Sequence, residues 1–310
     1  MITAAICTRN RAGMLPAALE CLARQTLDRD AYEILVVDNG STDSTAAVLA
    51  DHAKMIANLR SVSERRVGLS WARNRAVAEA RGQIIAFTDD DVRVSPGWLC
   101  AIQAGFDGNP RAVAAGGPVH PVYEVPPPEW MTPELAALHA AVDFGEAPRV
   151  LTLPDHPVGA NMAFCAQVLR SLGGFTPRLG FSGRRLVGCE EVHMFARVSA
   201  SGGVTLWLPA AAVDHMVPAA RLSRRWAVHR QYGEGVARGR LTHGPGAVLP
   251  EWDLGVRYPL WRVIGENKLT ALRRTITERR LDPLLLEAAA MAFHAGYLRG
   301  ALGWTGKAGR

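Results

Sequence analysis

Short apolar runs alternate with helix-type patterns over the first part of the chain. Between the runs, apolar residues recur at helical spacing, as Leu15, Leu19 and Leu22 do on one face of the first predicted helix. Strands that alternate with helices in this way favour right-handed βαβ units, so we expect an α/β fold with a mainly parallel sheet flanked by helices. The first four predicted strands are Ile2–Cys7, Tyr32–Val37, Leu59–Glu64 and Ile84–Phe87.

The pattern changes between residues 117 and 157, where prolines such as Pro126 and Pro127 interrupt it. We predict a long irregular insertion there, with one short helix at Pro133–Val142. Residues 1–240 are expected to form one α/β domain that includes this insertion, and residues 241–310 a helical C-terminal extension. A helix with Ser70 as its N-cap is expected to place the small residues Ala72, Ala76 and Ala80 on its inner side. The remaining predicted elements are a helix to about His52, a helix from Pro96 to about Phe106, a strand near Val113–Ala115, an ordered run at Val158–Phe164, a helix to Leu172, a helix from Glu190 to about Ala200, strands at Val204–Leu208 and Val213–His215, a basic helix from Ser223 to about Arg240, and helices between Pro259 and Leu302.

Three carboxylates follow the fourth predicted strand directly after Thr88. In an extended backbone Asp89 and Asp91 would point to the same side, while Asp90 would face elsewhere. Ligands of open α/β sheets bind at the carboxyl ends of strands, and a hard cation relieves the repulsion between adjacent carboxylates. A solvated acidic turn is the alternative interpretation of the same residues.

Polar residues also follow the first two predicted strands. Thr8 and Arg9 come after the first strand and Asp38 after the second, so all of them should lie at the same edge of the sheet as the acidic run. Asp38 could accept a hydrogen bond from a base N–H, or could simply begin the turn that follows it. Thr8 and Arg9 could likewise bind a ligand or belong to the local surface.

Four later residues are candidates for ligand binding or proton transfer. Arg73, placed in the first turn of a helix, could contact phosphate, or could form an ion pair on the helix surface. His215 could join Asp91 in binding Mn²⁺ or Mg²⁺, or could be structural. Glu190 and Glu191 at a helix start could supply a general base, or could merely complement the helix dipole.

Composition and charge indicate a globular protein with anionic ligands. Hydrophobic residues make up 48% and charged residues 21% of the 310-residue chain, which argues against disorder. The net charge of +6 suits nucleoside diphosphates or an acidic membrane surface. No aromatic-rich basic repeat points to nucleic acid, so we predict no nucleic-acid partner.

Several function classes lose their main support because their motifs are absent. There is no GxxxxGK[ST], GxGxxG, HExxH or GxSxG pattern, which argues against ATPases, dinucleotide-dependent dehydrogenases, zinc proteases and α/β-hydrolases. The five cysteines are scattered and form no CxxC pair, which favours a reducing compartment. The apolar start is interrupted at Arg9, and Leu284–Leu298 contains Glu287 and His294, so we predict neither a signal peptide nor a transmembrane segment.

The polar clusters together resemble the family 2 glycosyltransferases, which are inverting enzymes of the GT-A fold that use nucleotide-sugar donors. Six short motifs in the order of the family are more specific than any one of them. The resemblance thins after about residue 235. The motifs are Cys7–Arg11, Asp38–Asp43, Gly68–Asn74, Asp89–Asp91, Gly159–Asn161 and Gly188–Glu191.

The resemblance implies a donor site at the sheet edge. Thr8, Arg9 and Asp38 would hold the nucleobase, and Arg73 would lie beside the donor. Asp89 and Asp91 would be the DxD pair that contacts ribose and metal, with Asp90 included among the donor-site residues.

The resemblance also implies the residues of the chemical step. Glu191 falls where the family usually has an aspartate that acts as the general base toward the acceptor. His193 stands where a further acid is frequent, which leaves the choice between Glu190 and Glu191 open. His215 matches a late histidine that assists the metal–diphosphate group.

We therefore expect a reaction dependent on Mn²⁺ or Mg²⁺ that inverts the sugar of a nucleotide-linked donor, with a UDP-sugar as the first choice. The acceptor would be a glycan, a lipid-linked group or a small molecule, selected by residues 117–157 and those after 240. The rival functions are a nucleotidyltransferase and a non-catalytic sugar-nucleotide binding module. We expect a cytoplasmic protein, and we allow for peripheral contact with the inner membrane surface and for a homodimer.

Two further residues have two interpretations each. Asn161 could line the acceptor side of the site or cap the helix that follows it. Trp130 could be a platform for a sugar ring or a buried anchor.

Overall fold

A computed structural model describes residues 1–131, 133–183, 187–243 and 282–305, and these form an α/β structure. The strands are β1 (Ile2–Thr8), β2 (Tyr32–Asp38), β3 (Leu59–Ser63), β4 (Ile84–Thr88), β5 (Val92–Val94), β6 (Ala112–Gly116), β7 (Val119–Tyr123), β8 (Arg149–Leu151), β9 (Asn161–Cys165), β10 (Val204–Trp207) and β11 (Val213–Val217). The helices are α1 (Leu15–Ala23), α2 (Thr45–Met55), α3 (Leu69–Glu79), α4 (Trp98–Gly108), α5 (Pro133–Ala136), α6 (Ala166–Ser171), α7 (Glu190–Ala200), α8 (Arg224–His243) and α9 (Asp282–Thr305).

An eight-stranded sheet in the order β3-β2-β1-β4-β9-β6-β10-β8 forms the centre of the fold. Strands β1 to β4 are parallel to one another, as are β6 and β10. Strand β9 runs antiparallel to both β4 and β6, and β8 runs antiparallel to β10. The predicted α/β class with a largely parallel sheet is thus confirmed.

The apolar runs are continuous because helices cover both faces of the sheet. Alternate residues of β1 enter different cores: Ile6 belongs to one with Leu15 of α1, and Ala5 belongs to the other with Ala76 of α3. The small side chains of α3 lie on its buried side, as predicted. This packing fixes the strand ends that carry the polar residues.

The structure differs from the sequence prediction in three short strands. Strand β5 was not expected, and it pairs with β11 in a second sheet of order β5-β11-β7. Strands β7 and β8 lie in the segment predicted to be irregular, whose helix α5 is shorter than expected. The cap of α3 is Gly68, with a φ of 146°, rather than Ser70, whose hydroxyl donates to the Leu179 carbonyl.

The chain divides into two compact units. The first unit comprises residues 1–122, 140–183 and 190–216, and the second comprises residues 123–139, 184–189 and 217–310. Every predicted site residue lies in the first unit. The predicted boundary near residue 240 stays a prediction, and the predicted helical residues 259–281 lie outside the described part of the chain.

In the second unit, helices α8 and α9 pack at very close range. A side chain at Gly235 or Gly239 of α8 would meet the backbone of α9, and one at Gly296 or Gly300 of α9 would meet the backbone of α8. Trp130 is buried beside Leu135, Ala227 and Leu285, so of its two interpretations the buried anchor is correct. Among the described helices, none combines the length and the apolar character needed to cross a bilayer.

Candidate active site

The carboxyl ends of β1, β2 and β4 meet at one edge of the sheet, as predicted. Thr8 is the partner of Asp38 across the β1–β2 pair, and Thr88 at the end of β4 is the partner of Ile6. The polar residues after these strands are therefore brought together by strand register.

The acidic turn, residues Asp89–Asp91, connects β4 to β5 and is not part of either strand. The Val92 amide donates to the Asp89 carbonyl over 3.2 Å, so the segment curls instead of continuing as extended backbone. The expected alternation of side chains therefore does not apply. About a third of the Asp89 side chain is exposed, whereas Asp90 and Asp91 are buried.

Asp90 faces into the site region, which corrects the expectation that it would point elsewhere. Its Oδ2 accepts a hydrogen bond from the Thr8 hydroxyl over 2.6 Å. The acidic turn is thereby tied to the end of β1, and Thr8 has a structural bond in addition to any contact with a ligand.

Arg11 contacts two carboxylates of the acidic turn, a role that the sequence analysis missed. Its Nη2 donates to Asp91 Oδ2 over 3.1 Å, and its Nε lies 3.6 Å from Asp90 Oδ1. The only sequence signal was its place in the motif after β1. About a third of the Arg11 side chain is exposed.

Arg73 lies in the second turn of α3 and is almost completely buried, with 2% of its side chain exposed. Its Nη1 forms a short ion pair with Glu190 Oε1, and its Nη2 donates to the Gly159 carbonyl over 3.2 Å. A side chain at residue 159 would collide with the guanidinium. The alternative of a surface ion pair is wrong, and the same Nη2 lies 3.9 Å from Asp89 Oδ1.

The two glutamates at the start of α7 have different surroundings. Glu190 is buried, and its Oε2 is a buried atom for which the described residues provide no hydrogen-bond partner. Glu191 is partly exposed. Burial, together with the charge of Glu191, raises the pKa of Glu190 to about 7, although Arg73 acts in the opposite direction.

Two carboxylates of the acidic turn, those of Asp89 and Asp90, also have raised pKa values. Partial burial raises the pKa of Asp89 to about 6, against the lowering effect of Arg73, and the charge of Asp91 adds to the rise. Burial raises the pKa of Asp90 to about 7, against the lowering effect of Arg11. Negative charge at this edge of the sheet is therefore costly, which favours binding of a cation.

The residues after β2 form a well-bonded loop. Asp38 Oδ1 accepts a hydrogen bond from the Ser41 amide over 2.9 Å. This bond agrees with the interpretation that Asp38 begins the turn after β2. The Asn39 side chain donates to the Arg66 carbonyl and accepts from the Gly68 amide. Arg9 has a buried Nε for which no partner exists among the described residues. A bound ligand could supply that partner.

Asn161 has neither of the two functions suggested by its sequence position. It is fully buried on β9, where its Oδ1 accepts from Trp98 Nε1 over 2.9 Å. Its Nδ2 donates to the carbonyls of Pro118 and Ala211. The side chain joins three segments of the core and does not cap α6.

Asp91 and His215 are the pair that fits a divalent cation best. The pairing of β5 with β11 sets His215 beside Val92, and His215 Nε2 lies 3.5 Å from Asp91 Oδ1. Within the described residues, no group of three or more His, Cys, Asp or Glu side chains is arranged to hold a metal. One carboxylate and one imidazole still fit Mn²⁺ or Mg²⁺, because such ions commonly take their other ligands from phosphate and water.

Two solved structures have the same fold. The mannosyltransferase PcManGT from Pyrobaculum calidifontis, in complex with GDP-Man and Mn²⁺, superposes with a TM-score of 0.66 at 20% identity, over 99% of this chain and 88% of that chain. S. aureus TarS 1–349, in complex with UDP-GlcNAc, superposes with a TM-score of 0.58 at 16% identity, over 97% and 92% of the two chains. These likenesses confirm the GT-A, Rossmann-like fold.

Sequence comparison identifies the family. Glucosyl-dolichyl phosphate glucuronosyltransferase of Haloferax volcanii is 24% identical over 240 residues, 76% of this chain and 76% of that protein. Succinoglycan biosynthesis protein ExoM of Rhizobium meliloti is 28% identical over 245 residues, 76% of this chain and 73% of that protein. Residues 3–171, more than half of the chain, match the model for glycosyl transferase family 2. The chain therefore belongs to glycosyl transferase family 2 and is an enzyme that transfers sugars.

Proposed function

We propose that the enzyme transfers a sugar from a nucleoside-diphosphate donor to an acceptor hydroxyl with inversion, with the help of a divalent cation. The observation that supports this proposal is the grouping of the acidic turn, the Arg73–Glu190 pair and the Asp91–His215 pair near one sheet edge in the first unit. Membership of a glycosyltransferase family argues against the two rival functions, nucleotidyl transfer and binding without catalysis.

The donor would bind over the ends of β1, β2 and β4. Thr8, Arg9 and Asp38 are the proposed contacts to the nucleobase, and the unpartnered Nε of Arg9 would find an acceptor in a base carbonyl. Arg73 and Asp89 would lie beside the ribose and diphosphate, with Asp90 holding Thr8 in place. A UDP-sugar remains the expected donor, although the similar structures hold GDP-Man in one case and UDP-GlcNAc in the other.

Asp91 and His215 would hold Mn²⁺ or Mg²⁺ when the ion is bound. The ion would neutralise charge on the diphosphate as the sugar departs. Arg73 would not bind the ion. Its guanidinium compensates the charge of Glu190 and would hold the Glu190 side chain in one position.

Glu191 is the proposed general base. Its neighbour Glu190 is engaged with buried Arg73, whereas Glu191 is partly exposed and could reach an acceptor. Glu191 would take the proton of the acceptor hydroxyl while that oxygen forms a bond to the anomeric carbon. The bond from the anomeric carbon to the diphosphate oxygen breaks in the same displacement, so the configuration inverts.

The acceptor class is proposed from the relatives. One relative is named for a dolichyl phosphate substrate and another for succinoglycan biosynthesis, so a lipid-linked or glycan acceptor comes before a small molecule. We retain as proposals that residues 117–157 and those after 240 select the acceptor. A homodimer, a cytoplasmic location and peripheral membrane contact also stay predictions.

The proposal is tested by a melting-temperature panel with UDP, GDP, dTDP and CDP, each with and without Mn²⁺. A ligand that binds only the folded state raises the melting temperature, so one nucleotide should give a clear shift that Mn²⁺ enlarges. The matching nucleotide sugar is then incubated with glycan and lipid-linked acceptors, and the anomeric configuration of the product is measured by NMR. No shift with any nucleotide, or a product with retained configuration, would contradict the proposal.

A further inference from the structure

The side chain of Arg11 bridges two carboxylates of the acidic turn, one of which is a proposed metal ligand. Its Nη2 donates to Asp91 Oδ2, and its Nε lies near Asp90 Oδ1. Only 7% of the Asp90 side chain and 4% of the Asp91 side chain are exposed. Two adjacent buried carboxylates repel each other strongly, so a positive charge in contact with both is favourable when no metal ion is bound.

We propose that Arg11 is a tethered counter-cation: it compensates the acidic turn in the empty enzyme and gives up Asp91 when a divalent cation binds. This inference rests on the proposed metal-dependent function. It assigns a role to a residue that belongs neither to the proposed donor contacts nor to the proposed metal ligands.

The backbone of Arg11 is fixed although its side chain is accessible. The Arg11 carbonyl accepts from the amides of Met14 and Leu15 at the start of α1. The next amide, that of Ala12, donates to Asp43 Oδ2 over 3.2 Å. The guanidinium can therefore change its position by rotation about side-chain bonds alone, because a third of the side chain is open to solvent.

Asp90 has a hydrogen bond that does not involve Arg11. Asp90 Oδ2 has the Thr8 hydroxyl as a second partner, so Asp90 keeps its position if Arg11 leaves. Asp91 has Arg11 on its Oδ2 and His215 near its Oδ1. A cation that binds Asp91 therefore competes with Arg11 for the same carboxylate, and loss of the guanidinium should favour the cation.

The test is a Mn²⁺ titration of the full chain, followed by the EPR signal of free Mn²⁺, for wild type, Arg11→Met and Arg11→Lys. Arg24→Met is the matched control, because Arg24 pairs with Glu20 on the exposed face of α1. We expect Arg11→Met to bind Mn²⁺ about two- to fivefold more tightly than wild type, the scale of a partly exposed ion pair. Arg11→Lys should fall between the two, and Arg24→Met should match wild type.

Melting temperatures provide a second measurement that a purely structural role would not reproduce. Arg11→Met should melt lower than wild type in a chelator, and the difference should shrink at saturating Mn²⁺ because the ion then replaces the guanidinium. A difference of the same size with and without Mn²⁺ would overturn the inference. If Arg11→Met does not fold, Arg11→Gln is judged by the same two criteria.

Failure of the inference can be distinguished from failure of the proposed function. Equal or weaker Mn²⁺ affinity in Arg11→Met, with nucleotide-induced melting shifts intact, overturns the role of Arg11 alone. If wild type responds to no nucleoside diphosphate, the proposed function fails, and the Mn²⁺ comparison still decides the role of Arg11. If neither wild type nor Arg11→Met binds Mn²⁺, the role of Arg11 is overturned, and the nucleotide-induced melting shifts decide the proposed function separately.

Discussion

The acidic turn and the start of α7 are both runs of adjacent carboxylates, yet their charges are compensated in opposite ways. In the acidic turn, Arg11 compensates Asp90 and Asp91 with a side chain that is one third exposed. At the start of α7, Arg73 compensates Glu190, and 2% of the Arg73 side chain is exposed. The Arg11 guanidinium can therefore move away without disturbing the core, whereas the Arg73 guanidinium cannot.

This difference separates a carboxylate suited to ligand exchange from one suited to a fixed structure. A buried ion pair is strongly destabilised when one partner is removed, because the other charge is left without compensation. A partly exposed pair loses little, because water replaces the missing partner. We therefore expect exchange of ligands at Asp91 and an unchanging arrangement around Glu190, with Glu191 beside it as the group that reacts.

The largest expected effect is on catalysis, at the carboxylate next to the fixed pair. Glu191→Gln should lower kcat by about 10²- to 10⁴-fold and leave the KM for the donor unchanged, because a general base acts in the chemical step. Steady-state kinetics with a fixed acceptor would measure both constants. Unchanged turnover would remove Glu191 from the mechanism and return the role of base to Glu190.

Removal of each counter-charge tests the comparison directly. Arg73→Met should lower the free energy of unfolding by about 3–5 kcal/mol, because the buried carboxyl of Glu190 and the Gly159 carbonyl would lose the guanidinium that bonds to them. Arg11→Met should lower it by at most about 1 kcal/mol. Urea denaturation of both variants in metal-free buffer gives the two values. Losses of similar size would show that the two ion pairs do not differ in the way their exposure indicates.

Glu190 should make the folded protein less stable as the pH rises through neutrality. The pKa of Glu190 in the folded protein is raised from 4.5 to about 7, so the folded state holds a proton that the unfolded state has already lost. This contribution is fully present below about pH 4.5 and is lost as the pH rises through 7. Between pH 5 and 8 in metal-free buffer, the contribution of Glu190 to the free energy of unfolding should fall by roughly 1–3 kcal/mol.

Glu190→Gln is the control for this pH effect. The variant has no carboxyl proton at position 190, so its stability should change less with pH over the same range. The raised pKa of Asp90 acts in the same direction and should leave part of the slope in place. His193 acts in the opposite direction, because burial lowers its pKa to about 4, but it is present in both proteins. An equal pH dependence of the free energy of unfolding in wild type and Glu190→Gln would contradict the prediction.

Much of the fold followed from the sequence because it depends on patterns along single segments. The apolar runs of β1, β2 and β4 and the helical spacing of α1 determine where strands end, and the sheet brings those ends together. Strands β5 and β8 were missed because each has only three residues, too few for a periodic pattern. Strand β7 was missed because Pro121 lies within it and disfavours a strand assignment.

The partners of the charged residues could not be predicted in the same way. The pairing of Arg73 with Glu190 joins α3 to α7 across 117 positions of sequence, and no pattern in either segment specifies it. Asn161 was misinterpreted because a polar residue before a helix resembles a cap, whereas its bonds go to Trp98 and to two distant carbonyls. The sequence indicated which edge of the sheet is polar, but not which charges neutralise one another there.

Small effects are also expected from two threonines at the ends of neighbouring strands. Both are buried, but the Thr8 hydroxyl donates to Asp90, whereas the Thr88 hydroxyl has no hydrogen-bond partner among the described residues. Thr8→Val should lower the free energy of unfolding by about 1–2 kcal/mol, because it removes a bond to a carboxylate. Thr88→Val should change it by no more than about 0.5 kcal/mol, because no bond is lost.

Nucleotide binding by the same two variants indicates what the Thr88 hydroxyl is for. A buried hydroxyl without a partner is unfavourable by itself, so it is explained most simply by a bond that forms only when a ligand is present. Thr88→Val should then reduce the melting-temperature shift caused by the nucleotide while the melting temperature of the free enzyme stays the same. If the shift is unchanged, Thr88 lies outside the donor contacts, and the donor is held by residues of the loops after β1 and β2.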